Sequence, residues 1–210
     1  MLDTFTIYQK LSAYGNVYEL NMKIKSPDKF VKWTEDNFNY VQYNPRKSNN
    51  RQGLSITSLD GGLTGIPDLD SLPEYNKTHN TTYTELDFNI ATPVLEHEGL
   101  KEVVSPIQKH MFRSHILKLD PGGFFPPHRD LVHDFDSFRI IVPLQNVNPP
   151  QMNFVVDDKI YNWQPGYFYF VDTAKLHYLF NAGSAPSYWI VFNVKTNQES
   201  YNSLINYVKY

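Results

Sequence analysis

Between Arg113 and Val194 the chain breaks into short, strand-like segments separated by turns, a pattern that few folds accept. The segments are Arg113–Asp120, Ser137–Leu144, Asn153–Val156, Ile160–Trp163, Tyr167–Asp172, His177–Asn181 and Ser187–Val194. Asp157-Asp158-Lys159 and Gln164-Pro165-Gly166 read as hairpin turns, since these residues accept the tight backbone angles a reversal needs. With 15 Tyr, 14 Phe and 14 Pro in 210 residues, the composition favours β structure with many turns over a helical bundle. Short strands at such spacing predict a double-sheet jelly roll.

The first half is more mixed. Tyr18, Leu20, Met22 and Ile24 alternate with polar residues over Val17–Lys25, which predicts a half-buried strand. Ser26-Pro27-Asp28 then supplies an N-cap, a first-turn proline and an acid at a helix start. That helix is expected to end near Asn39. Gly53–Leu59 reads as a strand, and residues 63–80, rich in Pro, Asp, Asn and Thr, as a long surface excursion beside a site. Thr92–Met111 carries a helical stripe through Leu95, Leu100, Val103, Val104 and Ile107, with Pro106 positioned to split it. The expected organisation is one domain over 1–210. Strands, helices and substrate-side loops occupy 1–112, a metal-binding core 113–195 and a C-terminal helix 196–210.

Composition excludes several functions. There is no cysteine, hence no disulfide, thiolate metal site or cysteine nucleophile, and any metal must be held by His, Asp or Glu. A net charge of −3 argues against a surface for long nucleic acid, which needs clustered Lys and Arg. No apolar run approaches the ~18 residues of a membrane span, and the N-terminus lacks the pattern of a signal peptide. A cytoplasmic protein acting on a small-molecule or peptide substrate is the expectation.

The chemistry concentrates in Leu119–Leu131, where Gly122-Gly123 and Pro126-Pro127 read as a turn that carries His128 and Asp130. A His-x-Asp pair can offer an imidazole nitrogen and a carboxylate oxygen to one metal. His177, on a later strand, would complete a two-histidine, one-carboxylate iron site with open positions for a bidentate 2-oxo acid and dioxygen. His115 reads as a pocket-facing histidine without metal, and His133 as a solvated loop residue. Asp172 either orients a ligand or ends a strand. Asn181 and Gly183 suit a turn, Trp163 and Trp189 the core.

Residues 113 to about 194 resemble the aspartyl/asparaginyl β-hydroxylase-like branch of the Fe(II)/2-oxoglutarate-dependent dioxygenases, a branch that includes free-proline hydroxylases. The resemblance runs through Arg113–Asp130, Phe138–Leu144, Trp163–Gly166, Phe170–Asp172, His177 and Asn181–Gly183. It implies a double-stranded β-helix of cupin-like form, mainly β with flanking helices. It further implies Fe(II) at His128, Asp130 and His177, with 2-oxoglutarate and O2 as cosubstrates of a hydroxylase. Buried 2-oxoglutarate needs a cation for its distal carboxylate. The related enzymes supply an arginine on the strand after His-x-Asp, which is Arg139 here, or ten residues past the distal histidine. The latter position is Ser187. Arg139 or Arg113 is therefore expected to carry the charge, with Ser187 assisting, and Arg46, Arg51 and 63–80 to frame the substrate. A cupin-type metal enzyme that does not use 2-oxoglutarate, and a non-catalytic binding module, are the alternatives.

Overall fold

The structure, a computed structural model, describes residues 2–44, 49–130 and 135–209. A large sheet orders its strands β1-β11-β8-β13-β6-β3-β2, and a four-stranded sheet orders β10-β9-β12-β7. In chain order these are β1 (Val17–Lys23), β2 (Val41–Gln42), β3 (Arg51–Ser55), β4 (Thr57–Ser58), β5 (Ile90–Ala91), β6 (Met111–Leu119) and β7 (Phe124–His128). They continue with β8 (Ser137–Gln145), β9 (Met152–Val156), β10 (Lys159–Ile160), β11 (Tyr167–Val171), β12 (His177–Asn181) and β13 (Ser187–Lys195). β4 and β5 form a separate two-stranded pair. The two larger sheets face each other as the expected jelly roll, and helices flank them.

The large sheet is apolar on both faces, because each covers a core. Phe138, Ile140 and Val142 of β8 pack outward with Ile190 and Phe192 of β13 against helices α1 (Thr4–Ser12), α2 (Pro27–Asn37), α4 (Glu98–Val104) and α5 (Gln198–Ile205). Ile141 packs inward with Leu117, Trp189, Phe154 and Leu179, filling the space between the sheets. Alternation along β8 thus places Arg139 on the inner side with Ile141. Register agrees: Arg139 pairs with Asn193, and Ile141 with Val191.

Several elements differ from expectation for identifiable reasons. The 53–59 segment divides into β3 and β4, with β3 joining β6 in the large sheet while β4 pairs with β5. The N-terminal strands β1, β2 and β3 extend the core sheet itself. Pro106 does break the 92–111 segment: α4 is preceded by a 3-10 turn at Pro93–Glu96 and followed by another at Gln108–His110. The 63–80 excursion contains α3 (Leu72–His79). Ile160–Trp163 shortens to β10, and the run through Pro126-Pro127 is strand β7, where a turn was expected. β7 is the edge of its sheet, where prolines without N–H groups are tolerated. α1 carries no helical signal strong enough to predict, although Asp3 caps it by accepting Thr6 N–H at 2.7 Å.

Candidate active site

β7 and β12 are antiparallel neighbours, and His128 lies directly opposite His177 in their register. Their ring centroids are 4.2 Å apart. At the other end of β7, Gly122-Gly123 makes the tight turn that leads into the strand. Gly122 has φ +78°, and a Cβ on Gly123 would fall 2.5 Å from the Asn50 carbonyl oxygen. Asp130 follows two residues beyond β7, its N–H donating to the Thr173 carbonyl at 2.9 Å. That bond ties the loop after β7 to the turn before β12. His128, Asp130 and His177 thereby present donor atoms within 4.8 Å of one another.

Each histidine is held through Nδ1. His128 Nδ1 lies 2.7 Å from the Pro126 carbonyl oxygen, and His177 Nδ1 lies 3.0 Å from that of Lys175. A carbonyl only accepts, so Nδ1 carries a proton in both rings, which in the neutral imidazole leaves Nε2 as the ligand atom. The two Nε2 atoms sit 3.7 and 4.0 Å from the Asp130 carboxylate. Burial holds His177 below the ordinary histidine range, favouring its neutral, donor form. Burial alone would raise Asp130, but Arg139 first and then His177 outweigh it and hold the carboxyl below its usual range. Arg139 Nε is 3.0 Å from Asp130 Oδ2. The angle is not that of a hydrogen bond, and this buried oxygen has no hydrogen-bond partner. Two imidazole Nε2 atoms and a carboxylate with an unsatisfied oxygen are the donor set a divalent cation such as Fe(II) fits.

Two cavities meet at this cluster. The inner one, about 50 Å³, is lined by His128, His177, Arg139, Thr173, Tyr43 and His115 together with apolar side chains such as Leu117, Phe154 and Trp189. The outer cleft, about 680 Å³, runs past Asp130, Arg139 and Thr173 beneath α3 and the 3-10 turn Glu85–Asp87, with Asn76, Tyr83 and Glu85 among its walls. Arg139 and Thr173 line both. Arg139 donates no hydrogen bond from its Nη atoms to any of the described residues. It is the cation that an anion entering either cavity meets.

Arg113 and Ser187 lie elsewhere. Arg113 sits at φ +40°, and the β13–β6 register shifts between Val191 and Asn193. This bulge breaks the alternation that would have kept Arg113 on the face of His115. Its guanidinium binds the carbonyls of Asp68 and Asp70 and the Glu85 carboxylate, fastening the 68–85 segment. Ser187 is fully buried, and its Oγ accepts Trp189 Nε1–H at 2.8 Å. Neither residue is among those lining the inner cavity.

Of the remaining expectations, Asp172 holds the turn before β12: its Oδ1 accepts Tyr8 O–H at 2.7 Å and Ala174 N–H at 3.2 Å. Asn181 and Gly183 form the expected turn, Gly183 N–H donating to Asn181 Oδ1 at 3.0 Å. Trp163 is a core residue, whereas Trp189 belongs to the core and also lines the inner cavity. Arg51 stacks 4.0 Å from the centroid of Phe125, itself a wall of that cavity. Arg46, Lys47, His133 and Asp134 lie outside the described residues. Thr173 and Tyr43 were not legible, because each enters through a turn whose direction no periodicity encodes.

His115 faces the inner cavity beside Tyr43, with ring centroids 5.3 Å apart. Burial above all, and then Arg139, pushes its pKa down to about 3. An unfolded histidine titrates near ~6.5. The folded state therefore binds fewer protons than the unfolded chain between those values. The stability is fully present above about pH 6.5 and is lost progressively as pH falls toward 3. His115→Gln is expected to lessen the pH dependence of stability by up to ~1.4 kcal/mol per pH unit. Urea unfolding between about pH 5 and pH 7 checks this, and an unchanged slope rejects it.

Comparison with known proteins agrees with the geometry. The family model for aspartyl/asparaginyl β-hydroxylases matches residues 73–196, more than half of the chain. The chain belongs to this family. The matched span includes the three candidate ligands, Arg139, all of α3 after Leu72, and the Glu85 turn of the cleft. Among solved structures, a Burkholderia pseudomallei oxidoreductase of the 2OG-Fe(II) oxygenase family is similar over 92% of this chain and 90% of its own, at 12% identity and TM-score 0.51. KdgF from Halomonas sp. covers 76% of this chain and 89% of its own, at 9% identity and TM-score 0.38. The Cnp3 cupin domain of Schizosaccharomyces pombe covers 41% and 56%, at 9% identity and TM-score 0.33. No curated protein sequence matches. Among the described residues, no helix is long and apolar enough to cross a membrane.

Proposed function

We propose that the protein is an Fe(II)- and 2-oxoglutarate-dependent oxygenase that hydroxylates a C–H bond of an amino acid, a peptide side chain or another small substrate. The observation that carries this reading is the pair of cross-strand histidines, each pinned through Nδ1 so that Nε2 faces Asp130, with Arg139 beside them. In the balanced reaction, substrate, 2-oxoglutarate and O2 give hydroxylated substrate, succinate and CO2. Bound iron supplies the oxygen activation and the 2-oxo acid two of the electrons, chemistry that no side chain here possesses.

The chain's own residues bind, orient and exclude water. Pro126 and Lys175 carbonyls fix the two rings, and Thr173 fixes the Asp130 backbone. Arg139 Nη groups receive the distal carboxylate of the cosubstrate, while Leu117, Phe154, Leu179 and Trp189 keep the inner wall dry. The cleft under α3 admits the substrate. Oxygen uptake and succinate formation with Fe(II) and 2-oxoglutarate, across a panel of amino acids, peptides and nucleotides, test the reading. Substrate-stimulated succinate formation is the expected result. A metal-loaded protein that never converts 2-oxoglutarate overturns it.

One observation favours a second reading, a cupin-type metal enzyme that does not consume 2-oxoglutarate. Ser187, at the position where related enzymes can carry an arginine, gives its hydroxyl to Trp189 and is not among the residues lining the inner cavity, where Arg139 is the one cation among the described residues. The same assay separates the two.

A further inference from the structure

A second groove, of about 650 Å³, adjoins the cleft across Leu86 and Phe112, which line both. Lys109, His110 and Lys195 are among its walls, and no acidic residue is. His110 is unlike the lysines in being buried, its side chain only 7% exposed.

The N-cap of α5 fixes the tautomer of His110. Asn197 Oδ1 accepts Ser200 N–H at 2.8 Å as the cap, which turns its amide nitrogen toward His110 Nδ1, 3.4 Å away. An amide NH2 only donates, so Nδ1 is the acceptor and Nε2 carries the proton. This buried Nε2 has no hydrogen-bond partner. Glu199 Oε2 lies 3.9 Å off, beyond hydrogen-bond reach, and is instead taken by Lys109 Nζ at 2.8 Å. Lys195 forms no ion pair with the described residues. Buried donors are rarely left empty in native proteins, and an acceptor reaching this one also meets two ammonium groups.

We propose that this groove binds an oxyanion, a phosphate or carboxylate group, held by His110 Nε2–H with Lys195 and Lys109. Burial, and then the neighbouring Lys109, lower the His110 pKa, so the ring serves as a neutral donor. Lys109 is shared with Glu199, which makes that carboxylate the natural competitor of the ligand. Because the groove is contiguous with the cleft, the anion is either a separate ligand or the charged end of a substrate.

The test is a titration of the isotopically labelled full chain with inorganic phosphate. NMR follows His110 Nε2–H, and Arg139 Nε–H in the same spectra reports any phosphate at the metal centre. A saturable shift of His110 is expected. Lys195→Met should weaken it by about 10-fold, the loss of one charge-assisted contact. Glu199→Gln should tighten binding by releasing Lys109. Both substitutions are at the exposed surface, so folding does not confound them. Competition between phosphate and substrate in turnover identifies the substrate's own charged end, and non-competition a separate ligand; either supports the site. No saturable shift at His110, or affinity unchanged in Lys195→Met, overturns the proposal.

Discussion

His177→Ala is expected to abolish tight Fe(II) or Mn(II) binding and to lower turnover by at least ~100-fold. Outer-shell partners of a metal alone are worth 10–100-fold, and a ligand sets the upper end of that range as a floor. The argument rests on how the three donors are held. His128 is pinned to Pro126 and Asp130 to Thr173, by bonds that do not involve His177. Removing one imidazole therefore leaves the other two donors in place, and two cannot replace three. His177 is 3% exposed, so the substitution also opens a small cavity at the end of β12. Folding must be checked separately: circular dichroism and thermal unfolding of the metal-free variant should show a folded chain. Mn(II) binding followed by electron paramagnetic resonance gives the readout. A folded His177→Ala protein that binds Mn(II) as its parent does would sink the metal assignment, whatever the activity.

How legible this centre was depends on which rule each residue obeyed. Arg139 could be read because β8 is a regular strand whose alternation survives into the fold, Phe138 and Ile140 packing outward and Ile141 inward. His128 and His177 could be paired by order and spacing, though not their cross-strand opposition, which comes from β7. That strand was hidden by Pro126-Pro127, since prolines argue against a strand unless it lies at an edge, and edges are a property of the sheet. Arg113 lies off the face that period-2 spacing gives it, because that spacing assumes an unbroken ladder. A bulge reverses the face of everything before it, and nothing local to Arg113 announces one. Ser187 was placed correctly on its strand, but its hydroxyl had a nearer partner in Trp189, two residues along the same face. The groove at His110 depends on a helix cap, a histidine and two lysines brought together by tertiary structure. No window of sequence contains them all.

Arg139→Leu should raise the 2-oxoglutarate KM by about 100-fold while leaving Mn(II) affinity intact or tighter. The two halves of this prediction have different causes. A carboxylate in a partly dry cavity loses a charge-assisted, bidentate partner, for which ~3 kcal/mol is a middle value. By the same step Asp130 loses the guanidinium now 3.0 Å from Oδ2, the neighbour that contributes most to holding its pKa down. A carboxylate relieved of a competing cation is a better ligand for the metal. On the proposed function Arg139 would also balance charge: with Fe(II), one aspartate and dianionic 2-oxoglutarate bound, its single positive charge would leave the site neutral. Arg139→Lys should fall between, since an ammonium keeps the charge without the planar fork that can span Asp130 and a second carboxylate together. Calorimetry with Mn(II), followed by 2-oxoglutarate titrated into the Mn(II)-loaded protein, resolves the two steps. If Arg139→Leu binds 2-oxoglutarate as tightly as the parent, the distal carboxylate is held elsewhere. Loss of Mn(II) affinity alone would make Arg139 a support for Asp130 and nothing more.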